Sequence, residues 1–474
     1  MVIGGGIAGL TCAVGLSLHG VAVTLLESEG ILGGRACSWR DDVTGDAVDL
    51  GPHVFLSEYR NMLKFLEILG TGDQICWRMD GLLTLSAPDY RTVIRVHPLP
   101  PPAHLLPSML AAPGLDLRDI LSNIPLSHRV ATMTEEDLQR LDGRTAMDFL
   151  RQMKVSRHFI EWFWAATSMA IMNVPLEECS AGALMRFYLN VMARNRLRMG
   201  FARCGLGDLF TGPAERIVKG AGGDVRRHTM AEAVETDAGG LSVRVAGGGR
   251  FRARHCVIAL PPERTAALLP EGITEPDPAD LRRFRPSPYI SSYLWFDRKL
   301  TDEMAWLRLW RPENLNYDFY ALSNIREGWG GRGSLIAGNI IYSHRAEGLS
   351  DERILERTLS EIAELAPEVK NARLLHHRIH RIPMAIPCPY PGTERLRPPT
   401  ATALPGLYLA GDWTRTGLPS SMESAARSGW LAAEAVLRDR GVEASLALPA
   451  RRTWGVIGAA RALLGRPLRI PPAA

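Results

Sequence analysis

The residues best placed to do chemistry are glycines. Gly4, Gly6 and Gly9 in "GGGIAG" fill a G-x-G-x-x-G pattern directly after the apolar run "MVI". In such a turn the first glycine closes the chain tightly and the second lets the backbone approach a pyrophosphate. The third allows helix and strand to pack closely. Ile7 and Ala8 would open a helix whose free N–H groups and positive dipole end face the phosphates. Glu27 ends the later run "VAVTLLE", at the separation where a carboxylate can accept from a ribose hydroxyl. Together these features predict a bound dinucleotide. The glycine pattern alone serves NAD, NADP and FAD equally.

Two further segments separate FAD from the other two. Gly33, Gly34 and Arg35 in "LGGRACS" lie just past the acidic strand, and a second site-like segment, "LAGDWTRTGLPSSMESAARSG", stands near the other end of the chain. FAD is long, and its flavin lies far from its adenine, so it needs two separated groups of contacts. Gly411 and Asp412 at a strand end could meet ribityl and phosphate oxygens. A helix starting near Ser420, Ser421 and Met422 would aim its positive end at the flavin and stabilise negative charge on the reduced ring. A pyridine-nucleotide reductase would need a second G-x-G-x-x-G, which "AGGD" at 221–224 and "AGGG" at 246–249 do not provide.

These segments need strands and helices to hold them. "MVI", "VAVTLLE", "CVIAL" and "LYLAG" read as buried parallel strands, because each is an almost unbroken apolar or β-branched run. The expected class is α/β, a Rossmann-type FAD-binding domain with an inserted α+β substrate region. The FAD domain is discontinuous, at 1–75, 201–265 and 376–440; the substrate domain comprises 76–200 and 266–375, and 441–474 forms a tail. Residues 76–200 read as helical; "PYISSYLWFDRKL" and "GSLIAGNIIYS" read as strands and "DERILERTLSEIAEL" as a helix. At 474 residues two cores are expected. The net charge of +4 gives no argument for nucleic acid. Seven scattered cysteines form no CxxC and no metal-ligand spacing, so free thiols in a reducing cytosol are expected, without zinc. Neither a secretory signal nor a bilayer-spanning apolar run is expected.

The segments "VIGGGIAGL…LLESEGILGGRA…DLGPH", "VIALPP" and "LYLAGDWTRTGLPSSMESAARSG" together resemble the flavin amine oxidase and phytoene desaturase superfamily. The resemblance implies FAD, with Glu27 at the adenosine ribose, Arg35 near the pyrophosphate and Val225 offering backbone contacts to adenine. Gly51, Pro52 and His53 would lie near the flavin, with Asp412 and Met422 by the ribityl chain and ring. Amine oxidases typically carry a lysine in a substrate-domain strand. Here the corresponding strand holds Ser291 and Ser292, and Lys299 falls at its end, which disfavours an amine. Isoprenoid desaturases match better. The "TGLP" segment is closer still to the squalene-associated branch, the hydroxysqualene dehydroxylases, which implies reductive dehydroxylation of hydroxysqualene. Carotenoid desaturation is the alternative, followed by amine oxidation and by a non-catalytic FAD-binding role.

A long isoprenoid offers almost nothing to hydrogen-bond, so apolar burial at roughly 25 cal/mol per Å² must bind it. Phe159, Trp162, Phe163, Met169, Ile171 and Met172 are the expected tunnel wall. His53 is the candidate proton donor, with Glu423 second. The basic amphipathic stretch "ARRTWGVIGAARALLGRPLRI" predicts transient contact with the inner face of a membrane. Squalene- or phytoene-synthase-like enzymes are the expected pathway partners.

Overall fold

Val2–Ile3 is buried between two parallel neighbours, Thr24–Leu26 and Cys256–Ile258, with Val2 opposite both Leu25 and Val257. Asp224–Arg226 and Leu407–Leu409 extend this sheet to five parallel strands. The computed structural model describes residues 1–79, 81–87, 90–101, 103–192, 196–237 and 240–449. All eleven residues of the helix Ile7–Ser17 are buried, which its sequence "IAGLTCAVGLS" permits because it is apolar all round. It packs backbone to backbone on the helix Met422–Asp439. A Cβ on Gly429 would sit 2.3 Å from the Ala8 carbonyl, and one on Gly15 would press on Trp430. A three-stranded antiparallel unit, 231–253, projects from this domain.

The second sheet has seven strands, in the order Leu374–Pro387, Pro286–Phe296, Leu335–Ile340, Asp318–Ala321, Ala305–Arg308, Leu83–Ser86 and Arg91–Ile94. All neighbours are antiparallel except Ala305–Arg308 with Leu83–Ser86. The helix Asp351–Leu365 covers one face, packing against Leu294, Phe319 and Ile336. The other face looks toward the glycine turn.

Two expectations change here. Residues 83–94 are a hairpin that joins this sheet, so the helical lobe starts only at 103. The Leu374–Pro387 strand pairs with Pro286–Phe296 along its length, so residues 376–387, read as part of the FAD domain, build the second sheet. Leu374–Pro387 and Arg91–Ile94 are the two edge strands, only partly buried and rich in polar residues, so no apolar run marks them and only cross-strand pairing decides their partner.

The helical lobe carries π-type turns at Ile160–Ala165 and Ser168–Met172, and Asn173 follows in the left-handed region at φ 59°. The basic amphipathic stretch expected to touch a membrane lies outside the described residues from 450 onward. The part before it is tied down: Lys64 Nζ donates to the Leu446 carbonyl (2.7 Å) and Asn61 Nδ2 to the Leu448 carbonyl (3.0 Å).

Candidate active site

A cavity of about 580 Å³ runs from the C-terminal ends of the parallel strands to the open face of the second sheet, within the usual range for a ligand pocket. Its walls collect nearly every segment singled out from sequence. Gly4, Gly6, Ile7, Ala8, Glu27, Gly33, Gly34, Arg35, Gly51, Pro52, His53, Gly411, Asp412, Ser421, Met422 and Glu423 all line it. Gly9 and Val225 do not.

The glycine turn divides its roles as the spacing requires. Gly4 has φ 105°, and a Cβ there would meet the Ala259 carbonyl at 2.6 Å. Gly9 has no room at all: its Cβ would lie 1.9 Å from the Gly4 carbonyl. Gly6 is the opposite case, with ordinary backbone angles and nothing closer to its Cβ than 4.0 Å. A side chain at Gly6 would project into the cavity. No side chain caps the helix that Gly6 begins, so its first-turn N–H groups face that space. These residues fit a pyrophosphate. Gly33 N–H donates to the Gly5 carbonyl (2.8 Å), which folds the Gly33–Arg35 segment over the turn.

Glu27 is buried. Its Oε2 accepts from Gly5 N–H (2.8 Å) and its Oε1 from Glu29 N–H (2.9 Å), fixing the carboxylate at the cavity edge. Val225 is an interior residue of its strand, paired with Leu25. It does not line the cavity. The two distant halves of the site meet at Arg35 and Asp412. The guanidinium is forked on the carboxylate at 2.6 and 3.2 Å, and it also donates to the Ala385 carbonyl.

His53 Nδ1 lies 2.8 Å from the Gly51 carbonyl. A carbonyl only accepts, so Nδ1 carries the proton. Burial holds the ring below its ordinary pKa, outweighing the Asp49 carboxylate that pulls the other way. The neutral ring therefore keeps Nε2 as an acceptor. That arrangement leaves Nε2 able to take up a proton and, once protonated, to give it back. Glu423 is also committed. It takes Asn61 N–H, Met62 N–H and Asn61 Nδ2–H at 2.7–3.1 Å, capping the helix Arg60–Leu69 from another element. Burial pushes its carboxyl up to about 7 despite these donors.

The far end of the cavity is built differently from its expectation. Of the six expected wall residues only Ile171 lines it; Phe159, Trp162, Phe163, Met169 and Met172 pack in the helical core. The π-type turns present Ala170, Ile171 and Asn173 to the cavity instead. Lys299 is exposed and paired with Asp302, away from the cavity. Sequence reading missed Asp318, Asn339, Tyr289 and Tyr320, which also line the cavity. The available signal was one charged residue opening the otherwise apolar strand "DFYA".

Burial pushes the Asp318 carboxyl up to about 7, only partly offset by Tyr320 and Asn339; the half-buried Tyr289 and the buried Tyr317 beside it keep their protons. The folded chain thus retains a proton that the unfolded chain releases above about pH 4. Stability attributable to this group falls as pH rises from there through 7. Asp318→Asn should therefore melt at a higher temperature than the unsubstituted protein at pH 8, with the gap closing near pH 4. Thermal melts across that range check it.

Comparison with known proteins agrees with this geometry. The model of the family described as flavin containing amine oxidoreductase matches residues 7–437. The chain is 27% identical over 461 residues to the 15-cis-phytoene desaturase of Synechococcus elongatus, covering 92% of this chain and 95% of that one. It is 28% identical over 473 residues to the carotenoid phi-ring synthase of Streptomyces griseus, covering 93% and 88%. Among solved structures, putrescine oxidase bound to putrescine superposes with a TM-score of 0.72 at 14% identity, over 92% of this chain and 98% of that one. A glycine cradle for a pyrophosphate, a second contact group at Asp412 and a family match over most of the chain lead to one conclusion: the protein belongs to the flavin containing amine oxidoreductase family and is an FAD-dependent oxidoreductase.

Proposed function

We propose that this enzyme desaturates a long isoprenoid, removing a pair of hydrogens from a carotenoid-type chain. The observation that carries the reading is one continuous cavity, which joins the dinucleotide turn to a wall of Ile171, Phe187, Val191, Met199, Leu307 and Ile341. Such a wall binds an apolar chain by area alone. The relatives named for phytoene and for carotenoid rings support it. FAD, when bound, supplies the two-electron chemistry. The chain's own part is to cradle the pyrophosphate at Gly4–Gly6, clamp the two halves of the site through Arg35 and Asp412, and hold a neutral His53 imidazole on the cavity wall.

A second reading, reductive removal of a hydroxyl as in the hydroxysqualene dehydroxylases, is favoured by one observation. The charged or chargeable Asp318 and the amide of Asn339 stand beside the apolar part of the wall. Anaerobic photometry separates the two by direction of electron flow. Phytoene should bleach the oxidised holoenzyme if it desaturates; hydroxysqualene should restore the colour of dithionite-reduced enzyme if it dehydroxylates. Silence with both lipids overturns the isoprenoid reading.

A bilayer-soluble substrate requires a visit to a membrane. Among the described residues no helix is long and apolar enough to cross one. Leu106, Leu110, Leu117, Leu121 and Ile124 are all exposed within one stretch of the helical lobe, with exposed Leu99 just before it, and such a grouping marks a surface that meets another apolar phase. Changing Leu110, Leu117, Leu121 and Ile124 together to glutamine should cut sedimentation with anionic liposomes at least tenfold. Removing residues 450–474 in a separate variant tests the basic segment independently.

A further inference from the structure

Four polar side chains form a row across the second sheet. In cross-strand register His380 stands opposite Ser291, Ser291 opposite Asn339, and Asn339 opposite Asp318. Residues directly paired across strands share a face, so the row runs along one side of the sheet, and it ends against Leu307, the next partner of Asp318. Each member has a buried polar atom without a hydrogen-bond partner: His380 Nε2, Ser291 Oγ, Asn339 Oδ1 and Asp318 Oδ1. Ser291, Asn339 and Asp318 are at most 6% exposed. Buried polar atoms are nearly always paired, and leaving one unpaired costs about 1–3 kcal/mol. A run of such atoms along one register line is therefore a feature that something else completes.

Its position indicates what that is. Asp318 and Asn339 line the cavity, and Ser291 packs beside Gly51, which lines it too. Asp318 is held in place because Tyr320 O–H donates to its Oδ2 (2.7 Å), leaving Oδ1 free. A hydrocarbon chain lying on this wall would seal off the unpaired atoms. An anionic group would meet the Asp318 carboxyl. A hydroxyl suits the set, since it donates to one acceptor oxygen and accepts from a neighbouring O–H without bringing net charge into a low-dielectric site.

We propose that Asp318 and Asn339, with Ser291 next in the row, bind a hydroxyl group carried by the substrate, making the preferred substrate an oxygenated isoprenoid. The inference rests on the isoprenoid reading above and, between the two lipids it names, favours the hydroxyl-bearing one over phytoene. Burial that keeps the Asp318 carboxyl near half-protonated at neutral pH supports an uncharged partner.

The test is a matched pair of lipids. Hydroxysqualene and squalene share a skeleton and differ by the hydroxyl; phytoene serves as a third probe. Each is titrated into detergent-solubilised holoenzyme, and the perturbation of flavin absorbance is followed. The alcohol should bind about ten- to a hundredfold more tightly than squalene, the size of one or two net hydrogen bonds. Asp318→Leu and, separately, Asn339→Leu should bring that ratio to about one. Flavin content verifies folding, and if the first variant does not fold the second decides. Equal affinity for the two lipids in the unsubstituted protein, or a preference that survives in the variants, overturns the site and assigns the row to bound water. The isoprenoid reading survives that result as long as the lipids bind. If none of the three lipids perturbs the flavin, the isoprenoid reading falls and this inference with it.

Discussion

Gly6→Val is expected to give a folded but colourless protein. An added Cβ meets no atom within 4 Å except the Gly33 carbonyl at 4.0 Å, and Gly6 already has an extended backbone open to valine. Nothing in the fold resists the change. The methyl groups would nevertheless occupy the space next to the first-turn N–H groups, where the pyrophosphate must sit. Flavin content after purification should fall by more than tenfold, with circular dichroism and melting close to those of the apoprotein. Gly9→Val makes the contrast. Its Cβ would overlap the Gly4 carbonyl at 1.9 Å, so the turn itself must open, and the protein should lose several degrees of melting temperature as well as its flavin. If Gly6→Val purifies fully yellow, the cofactor does not lie across this turn.

Glu423→Ala should be among the most damaging single changes outside the cofactor cradle. It leaves Asn61 N–H, Met62 N–H and Asn61 Nδ2–H without the acceptor that holds them, and it frees the start of one helix from the start of another. With about 1–3 kcal/mol at stake for each buried donor left unpaired, a loss of at least about 3 kcal/mol is expected from urea unfolding. Glu423→Gln keeps an oxygen for the two backbone donors and should lose about 1 kcal/mol. The pair of variants also settles the chemical role. A capping residue predicts that Glu423→Gln reduces flavin with its lipid substrate at nearly the native rate. A drop of a hundredfold in that rate, with stability kept, would make Glu423 the proton donor after all.

The cofactor was legible in the sequence because its signals are local. A tight glycine turn, an acidic strand end some twenty residues on and a helix start after "GDW" are each set by a few neighbouring residues, whose backbone preferences do not depend on the rest of the chain. The parallel strands were legible for a similar reason, since burial on both faces leaves a continuous apolar run. Other features depended on partners far away in the chain. Arg35 and Asp412 are 377 positions apart, and Glu423 and Asn61 are 362 apart. Nothing local to either pair shows that one forms a clamp and the other a cap.

The substrate end of the cavity was least legible. An aromatic-rich helix advertises burial but not direction, and the π-type turns at Ile160–Ala165 and Ser168–Met172 shift which residues face inward by a register no 3.6-residue pattern anticipates. His53 was recognised as a site residue, yet its protonation depends on one carbonyl, Gly51, that only folding places opposite Nδ1. By itself the sequence determined that a dinucleotide is held and which turn is shaped to take its phosphates, because turn chemistry is short-range. Tertiary structure alone decided what lines the far end of the cavity. The row from Ser291 through Asn339 to Asp318 exists only once three strands have found their register, and a slip of one residue would turn it to the opposite face.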